Sequence, residues 1–154
     1  MAVLDIRKAG DLILKQKAEP IAKVNRKLKQ LLDDMAETMY QADGVGLAAP
    51  QVGASVRVIV IDIGAGLLEL INPVIVDSAG SEIRLEGCLS VPGVYGEVER
   101  CAEVTVEGIN RYGKKFDIAA TDLLARALQH EIDHLEGILF IELATTIHKE
   151  QQES

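Results

Sequence analysis

Apolar residues recur at Leu28, Leu31, Leu32, Met35 and Met39, the spacing of one helical face, with polar residues between them. That spacing predicts an amphipathic helix over residues 24–40, with Asn25 as its cap. Met35 and Met39 lie on the stripe and read as core filling, because an unbranched thioether adapts to irregular gaps. A glycine-rich stretch over residues 44–53 comes next. The run Val56-Arg57-Val58-Ile59-Val60-Ile61 follows and is β-branched enough for a buried strand. Residues 68–76 predict another strand, interrupted at Pro73. Val104-Thr105-Val106 and Phe116-Asp117-Ile118 flank Asn110-Arg111-Tyr112-Gly113, whose turn residues predict a hairpin. Thr121 is placed to cap a last helix from Asp122 to about Glu136, with Asp122 favourable in its first turn and Gly137 suited to end it. The order helix, strands, helix predicts an α+β fold of mostly antiparallel strands packed around that C-terminal helix.

Length and composition narrow the picture further. A chain of 154 residues with 48% hydrophobic content suits one domain, expected over residues 1–148 with a short polar tail at 149–154. The core must be aliphatic, since the chain has no Trp, 2 Phe and 3 Tyr. A net charge of -8 repels phosphate backbones, so no direct nucleic-acid binding is expected. Two cysteines, Cys88 and Cys101, are too few for a disulfide scaffold and agree with a reducing compartment. No apolar run approaches the roughly 18 residues of a membrane span, and the first ten residues lack a signal core. The expected location is the cytoplasm.

The last helix carries Gln129-His130-Glu131-Ile132-Asp133-His134, a His-Glu-x-x-His arrangement. Residues four apart share one helical face, so both imidazoles can reach one metal ion with the glutamate beside them as general base. Leu123, Ala127, His130 and His134 fall on a common stripe, expected to point inward. A catalytic tetrahedral site needs a third protein ligand. One longer motif would supply a downstream histidine, but Phe140 occupies that position, and His148 lies near the polar tail as a solvated residue. An upstream ligand is needed, and Cys88 in Glu86-Gly87-Cys88-Leu89-Ser90-Val91-Pro92 is the candidate, with a buried structural cysteine as the plainer alternative. Cys101 lacks such a setting. Gly44-Val45-Gly46-Leu47-Ala48-Ala49-Pro50-Gln51 allows close backbone approach and offers the Gln51 amide, but alone it is equally a tight turn before a strand. Arg126 must turn its charge away from an apolar pocket or line its rim.

Together these three segments resemble the signatures of the peptide deformylases, Gly-x-Gly-Leu-Ala-Ala-x-Gln, Glu-Gly-Cys-Leu-Ser and Gln-His-Glu-x-Asp-His, all present in order. The resemblance covers most of the chain. It implies removal of the formyl group from the N-terminal formylmethionine of new polypeptides, releasing formate. Cys88, His130 and His134 would hold one divalent metal ion, with water as the fourth ligand. Glu131 would move the protons, while Gln51 and the backbone N–H of Leu89 stabilise the oxyanion. Val45, Gly46 and Leu89 would pair with the extended peptide, and Leu123 and Ala127 would wall the methionine pocket. A thiolate ligand suits softer metals; the resemblance favours Fe(II), with Zn(II), Ni(II) or Co(II) as substitutes. Some relatives touch the ribosome through a C-terminal helix, and the short tail here weakens the expectation of a transient ribosome contact. The alternatives are another metallopeptidase or amidase of the His-Glu-x-x-His type, or a silent metal-binding protein, which would have no need of Glu131 and Gln51.

Overall fold

The computed structural model describes residues 2–149. Helix α1 spans Arg26–Gln41, and the Asn25 side chain accepts from Leu28 N–H, satisfying one of the free donors of the first turn. Strands β1 (Gly46–Ala48), β2 (Val58–Ile61), β3 (Leu68–Ala79), β6 (Glu103–Ile109) and β7 (Lys115–Thr121) form an antiparallel sheet in the order β1-β2-β3-β6-β7. Helix α2 (Asp122–Leu135) follows β7 directly. The four residues of β2 are buried on both faces, which explains their unbroken apolar run. Val58 and Val60 pack with Leu28, Leu32, Met35 and Met39 of α1, while Ile59 and Ile61 pack with Ala125, Leu128 and Leu135 of α2. The sheet therefore separates two aliphatic half-cores, one under each helix.

A second antiparallel sheet, in the order β4-β5-β8, stands beside the first and comprises β4 (Glu82–Cys88), β5 (Val91–Arg100) and β8 (Thr146–Lys149). Helix α3 (Phe140–Leu143) packs on it, and Val91, Val98 and Phe140 form a small third cluster. No helix among the described residues is long and apolar enough to cross a membrane.

The α+β class, the antiparallel pairing and the motif-bearing C-terminal helix agree with the sequence reading; several local expectations change. Pro73 does not interrupt β3. Asn72 takes a left-handed φ of 52°, the register shifts between Ile71 and Val74, and the strand runs on to Ala79. A bulge absorbs the missing donor of a proline, and the Asn72 amide is fixed by Ile21 N–H and C=O, both at 2.8 Å. Thr121 sits at the N-cap of α2 but its side chain caps nothing there. Its hydroxyl instead lies 3.4 Å from Asp122 Oδ2, and Asp122 itself bends through a φ of 52°. Gly137 ends α2 with a φ of 77°, and a Cβ there would stand 2.5 Å from Lys15 O. His148 is exposed, as expected, but belongs to β8 opposite Tyr95, and Lys149 closes that strand instead of opening a tail. The remainder of the expected tail, residues 150–154, lies outside the described residues.

Candidate active site

Three separate stretches of chain meet at one point. Cys88 ends β4 at the turn into β5, where Ser90 N–H donates to its Sγ at 3.4 Å. His130 and His134 stand one turn apart on α2. Strand β1 and the 3-10 turn after it, Ala49–Val52, bring in Gly46 and Gln51. The potential ligand atoms of Cys88, His130 and His134 all lie within 4.8 Å of one another. Cys88 Sγ is 3.3 Å from His134 Nε2, and the two imidazoles meet edge to face with centroids 5.0 Å apart.

Behind this cluster lies a buried ionic network. His130 Nδ1 is 2.9 Å from Glu86 Oε1. Arg100 forks onto the same carboxylate through Nε and Nη2, each at 2.9 Å, and reaches Asp133 through Nη1. Arg126 adds a further bond to Glu86 and donates to Val98 O at 3.0 Å and Glu82 O at 2.9 Å. A carboxylate with all its acceptor directions engaged is ionised, so His130 Nδ1 carries a proton donated to Glu86 and Nε2 is the ring nitrogen left for the cluster. Burial alone would raise the Glu86 pKa, but the bonds from His130 and Arg100 outweigh it and lower it to about 2. Arg126, expected to turn away or line the rim, does line the cleft but is only 7% exposed. A carboxylate partner removes the need for its charge to seek water.

Glu131 sits across the cluster from Glu86, buried, with Oε2 4.0 Å from His130 Nε2. Burial, opposed by the positive charge favoured at His130, lifts its pKa to about 7. Burial would lower the His130 pKa, yet Glu131, Cys88 and Glu86 together raise it to about 10. His134 is pushed well below the usual histidine range by burial and by its neighbour. Glu86, Glu131 and Cys88 thus favour positive charge at His130, while burial and the positive charges at His130 and Arg100 keep His134 neutral. One thiol and two imidazole nitrogens so converging, with one ring oriented by a carboxylate behind it, fit a single divalent cation.

Gln51 is buried and committed at both ends. Its Oε1 accepts from Ala48 N–H at 2.9 Å, and its Nε2 donates to Ser90 Oγ at 3.0 Å and toward Cys88 Sγ at 3.5 Å. Cys88 and His130 open into a cleft of about 450 Å³ that is also lined by Val45, Gly46, Leu89, Ala127 and Leu123. Leu123 does not point fully inward as its stripe suggested. It is half-exposed at the cleft mouth, while Ala127 is buried deeper on the same helix.

The family model described as polypeptide deformylase matches residues 3–150. The chain belongs to the polypeptide deformylase family. A peptide deformylase from Pelotomaculum thermopropionicum is 58% identical over 149 residues, covering 97% of this chain and 96% of that one. The crystal structure of the Thermotoga maritima peptide deformylase superposes with a TM-score of 0.92 at 41% identity, covering 95% of this chain and 100% of that one. The Synechococcus elongatus peptide deformylase, solved in complex with actinonin, gives 0.91 at 46% identity and covers 93% and 79%.

For this deformylase-family chain, sequence patterns named Glu86 and Asp133 as motif residues without giving a reason for either. Both are partners of Arg100, which stands in no motif and alternates with exposed charges along β5. The register pairs Glu86 with Gly96 and Glu82 with Arg100, so Glu86 and Arg100 stand four positions apart along the sheet and meet only through the reach of their side chains.

Proposed function

We propose that this enzyme hydrolyses the N-formyl group from the N-terminal formylmethionine of newly made polypeptides, releasing formate and a free amine. The observation that carries the reading is that Glu131 and Gln51 line the same cleft as Cys88 and His130, two of the three residues of the Cys88, His130 and His134 cluster. On this reading Cys88 Sγ, His130 Nε2 and His134 Nε2 hold one divalent ion, Fe(II) in the cell with Zn(II), Ni(II) or Co(II) as substitutes. When bound, that ion lowers the pKa of water and polarises a carbonyl.

The chain's own groups do the rest. Glu131, with a pKa near neutrality, takes a proton from the attacking water and delivers it to the leaving nitrogen as the carbon–nitrogen bond breaks. Gln51 Nε2 and the Leu89 backbone N–H offer hydrogen bonds to the oxygen on which charge develops. The Gln51 amide is prevented from rotating by Ala48 and Ser90, so the N–H that makes the long 3.5 Å contact with Cys88 Sγ is the one to turn toward that charge. Backbone groups of Val45, Gly46 and Leu89 pair with the extended peptide, and Leu123 and Ala127 wall the pocket for the methionine side chain. The same reading makes residues 1–148 one catalytic domain, cytoplasmic, meeting its substrate as a nascent chain.

The test is formate release from formyl-Met-Ala by metal-reconstituted protein, expected to be catalytic and to stop when the metal is removed with a chelator. Formate no faster than in the chelated control overturns the reading. A second outcome follows from Gly46, where a Cβ would stand 2.6 Å from Glu131 Oε2. Gly46→Ala is expected to displace that carboxylate and lower kcat by about 10- to 100-fold with metal content unchanged, since small misplacements of a reacting group carry costs of this size. Unaltered kcat would mean that Glu131 does not work from the position it occupies.

A further inference from the structure

One side of the cleft is the connector between α1 and β1, residues 42–45, which belongs to no helix or strand. Asp43 turns through a left-handed φ of 56°. Gly44 packs so close to Leu89 that a Cβ would meet its Cδ1 at 2.7 Å. Val45 and Gly46 at its end line the cleft, and Val45 is 45% exposed. On the α1 side the connector is held by turn bonds, Asp43 N–H to Tyr40 O at 3.1 Å and Gly44 N–H to Met39 O at 3.0 Å; on the β2 side it is held by Asp62, just past the end of that strand. Asp62 N–H donates to Val45 O at 2.9 Å, while Asp62 Oδ2 accepts from the Tyr40 hydroxyl at 2.6 Å. Asp62 Oδ1 is occupied by Gly64 N–H at 2.8 Å, so the carboxylate is held in one orientation. The two ends of the connector, Tyr40 on the last turn of α1 and Val45 before β1, are thereby closed onto one aspartate.

We propose that Tyr40 and Asp62 are positioning residues that hold the Val45–Gly46 edge ready to receive the backbone of the peptide substrate. The inference rests on the deformylase reading above, in which that edge pairs with substrate. Neither residue touches the metal-ligand cluster, Glu131 or Gln51. Their loss therefore acts on binding, through the freedom the edge regains, and not on the chemical step. The hydrogen bond to Asp62 raises the Tyr40 pKa to about 12, which keeps the hydroxyl protonated as donor.

Tyr40→Phe removes one oxygen and keeps the ring, so the fold is retained. With formyl-Met-Ala-Ser, the variant is expected to raise KM about fivefold, the net size of one ordinary hydrogen bond, with kcat within about twofold and metal content unchanged. Asp62→Ala should do the same, and the double variant should be no worse than Asp62→Ala alone. Hydrogen exchange at the Val45 and Gly46 amides should speed up in each variant. Wild-type protein that releases no formate sinks the deformylase reading itself. Active wild type with an unchanged KM in Tyr40→Phe, or a fall in kcat at constant KM, overturns the positioning role alone.

Discussion

Glu131→Ala is expected to lose turnover by about 10²- to 10⁴-fold, the usual worth of a positioned proton carrier, while keeping its metal. The ligand atoms belong to Cys88, His130 and His134, and none is removed by the substitution. Metal content measured on the purified variant, beside kcat for formyl-Met-Ala, separates the two effects. Turnover near that of wild type would end the assignment of Glu131 as proton carrier. The fold should gain from the same change, because Glu131 Oε1 is buried with no hydrogen-bond partner among the described residues and such a group costs stability. The sign with pH follows from its raised pKa. A carboxyl whose pKa moves from the usual 4.5 to about 7 on folding favours the native state below 4.5 and loses that contribution as pH rises through 7. In chelator-stripped protein, wild-type stability should therefore fall across that window relative to the variant. Parallel curves would show that Glu131 is not desolvated in solution as it is here.

Glu86→Gln is expected to cost about 3–5 kcal/mol of stability, the range found when one partner of a buried ion pair is removed. The substitution keeps the volume but leaves Arg126 with no carboxylate and Arg100 with Asp133 alone, and their side chains are only 9% and 5% exposed. Urea unfolding at constant m-value measures the loss. It also leaves His130 Nδ1 without its carboxylate, so metal affinity should drop by about 10- to 100-fold, read by chelator competition. The acid limb carries the sign: the Glu86 pKa is lowered to about 2, so its contribution is present above the usual carboxylate range and disappears as pH falls through 2. A variant within about 1 kcal/mol of wild type would mean that the two arginines find other partners at little cost.

The parts of the molecule that follow hydropathy were legible from sequence. Helix α1 and the β6–β7 hairpin each carry the period their geometry requires, the doubly buried β2 shows as an unbroken apolar run, and the motif helix was recognisable from two histidines four apart. The β4–β5 sheet was not foreseen, because its pattern is inverted. Ile83 and Leu85 are exposed while Glu86 and Arg100 are buried, so β4 offers a search for alternating apolar residues nothing to place inside, and Val91 and Val98 of β5 lie too far apart to make a pattern. The same inversion hid the network behind His130. Burial of Glu86 depends on Arg100 and Arg126, which lie 14 and 40 residues away, and no local pattern records a partner at that distance. Pro73 misled for a related reason, since the Asn72 bulge that accommodates it is fixed by Ile21 far upstream.

Cys88 comes from the smaller sheet, Gln51 from the turn after β1, and the histidines from a helix packed on the larger sheet. Anything that grips all of these groups fastens two layers of the molecule to each other. The site is thus a rivet as well as a workplace, and occupancy is paid back as resistance to melting. A ligand present at a hundred times its Kd adds about 2.7 kcal/mol when it binds only the folded chain. A thermal-shift screen can accordingly sense what enters this cleft without any chemistry taking place.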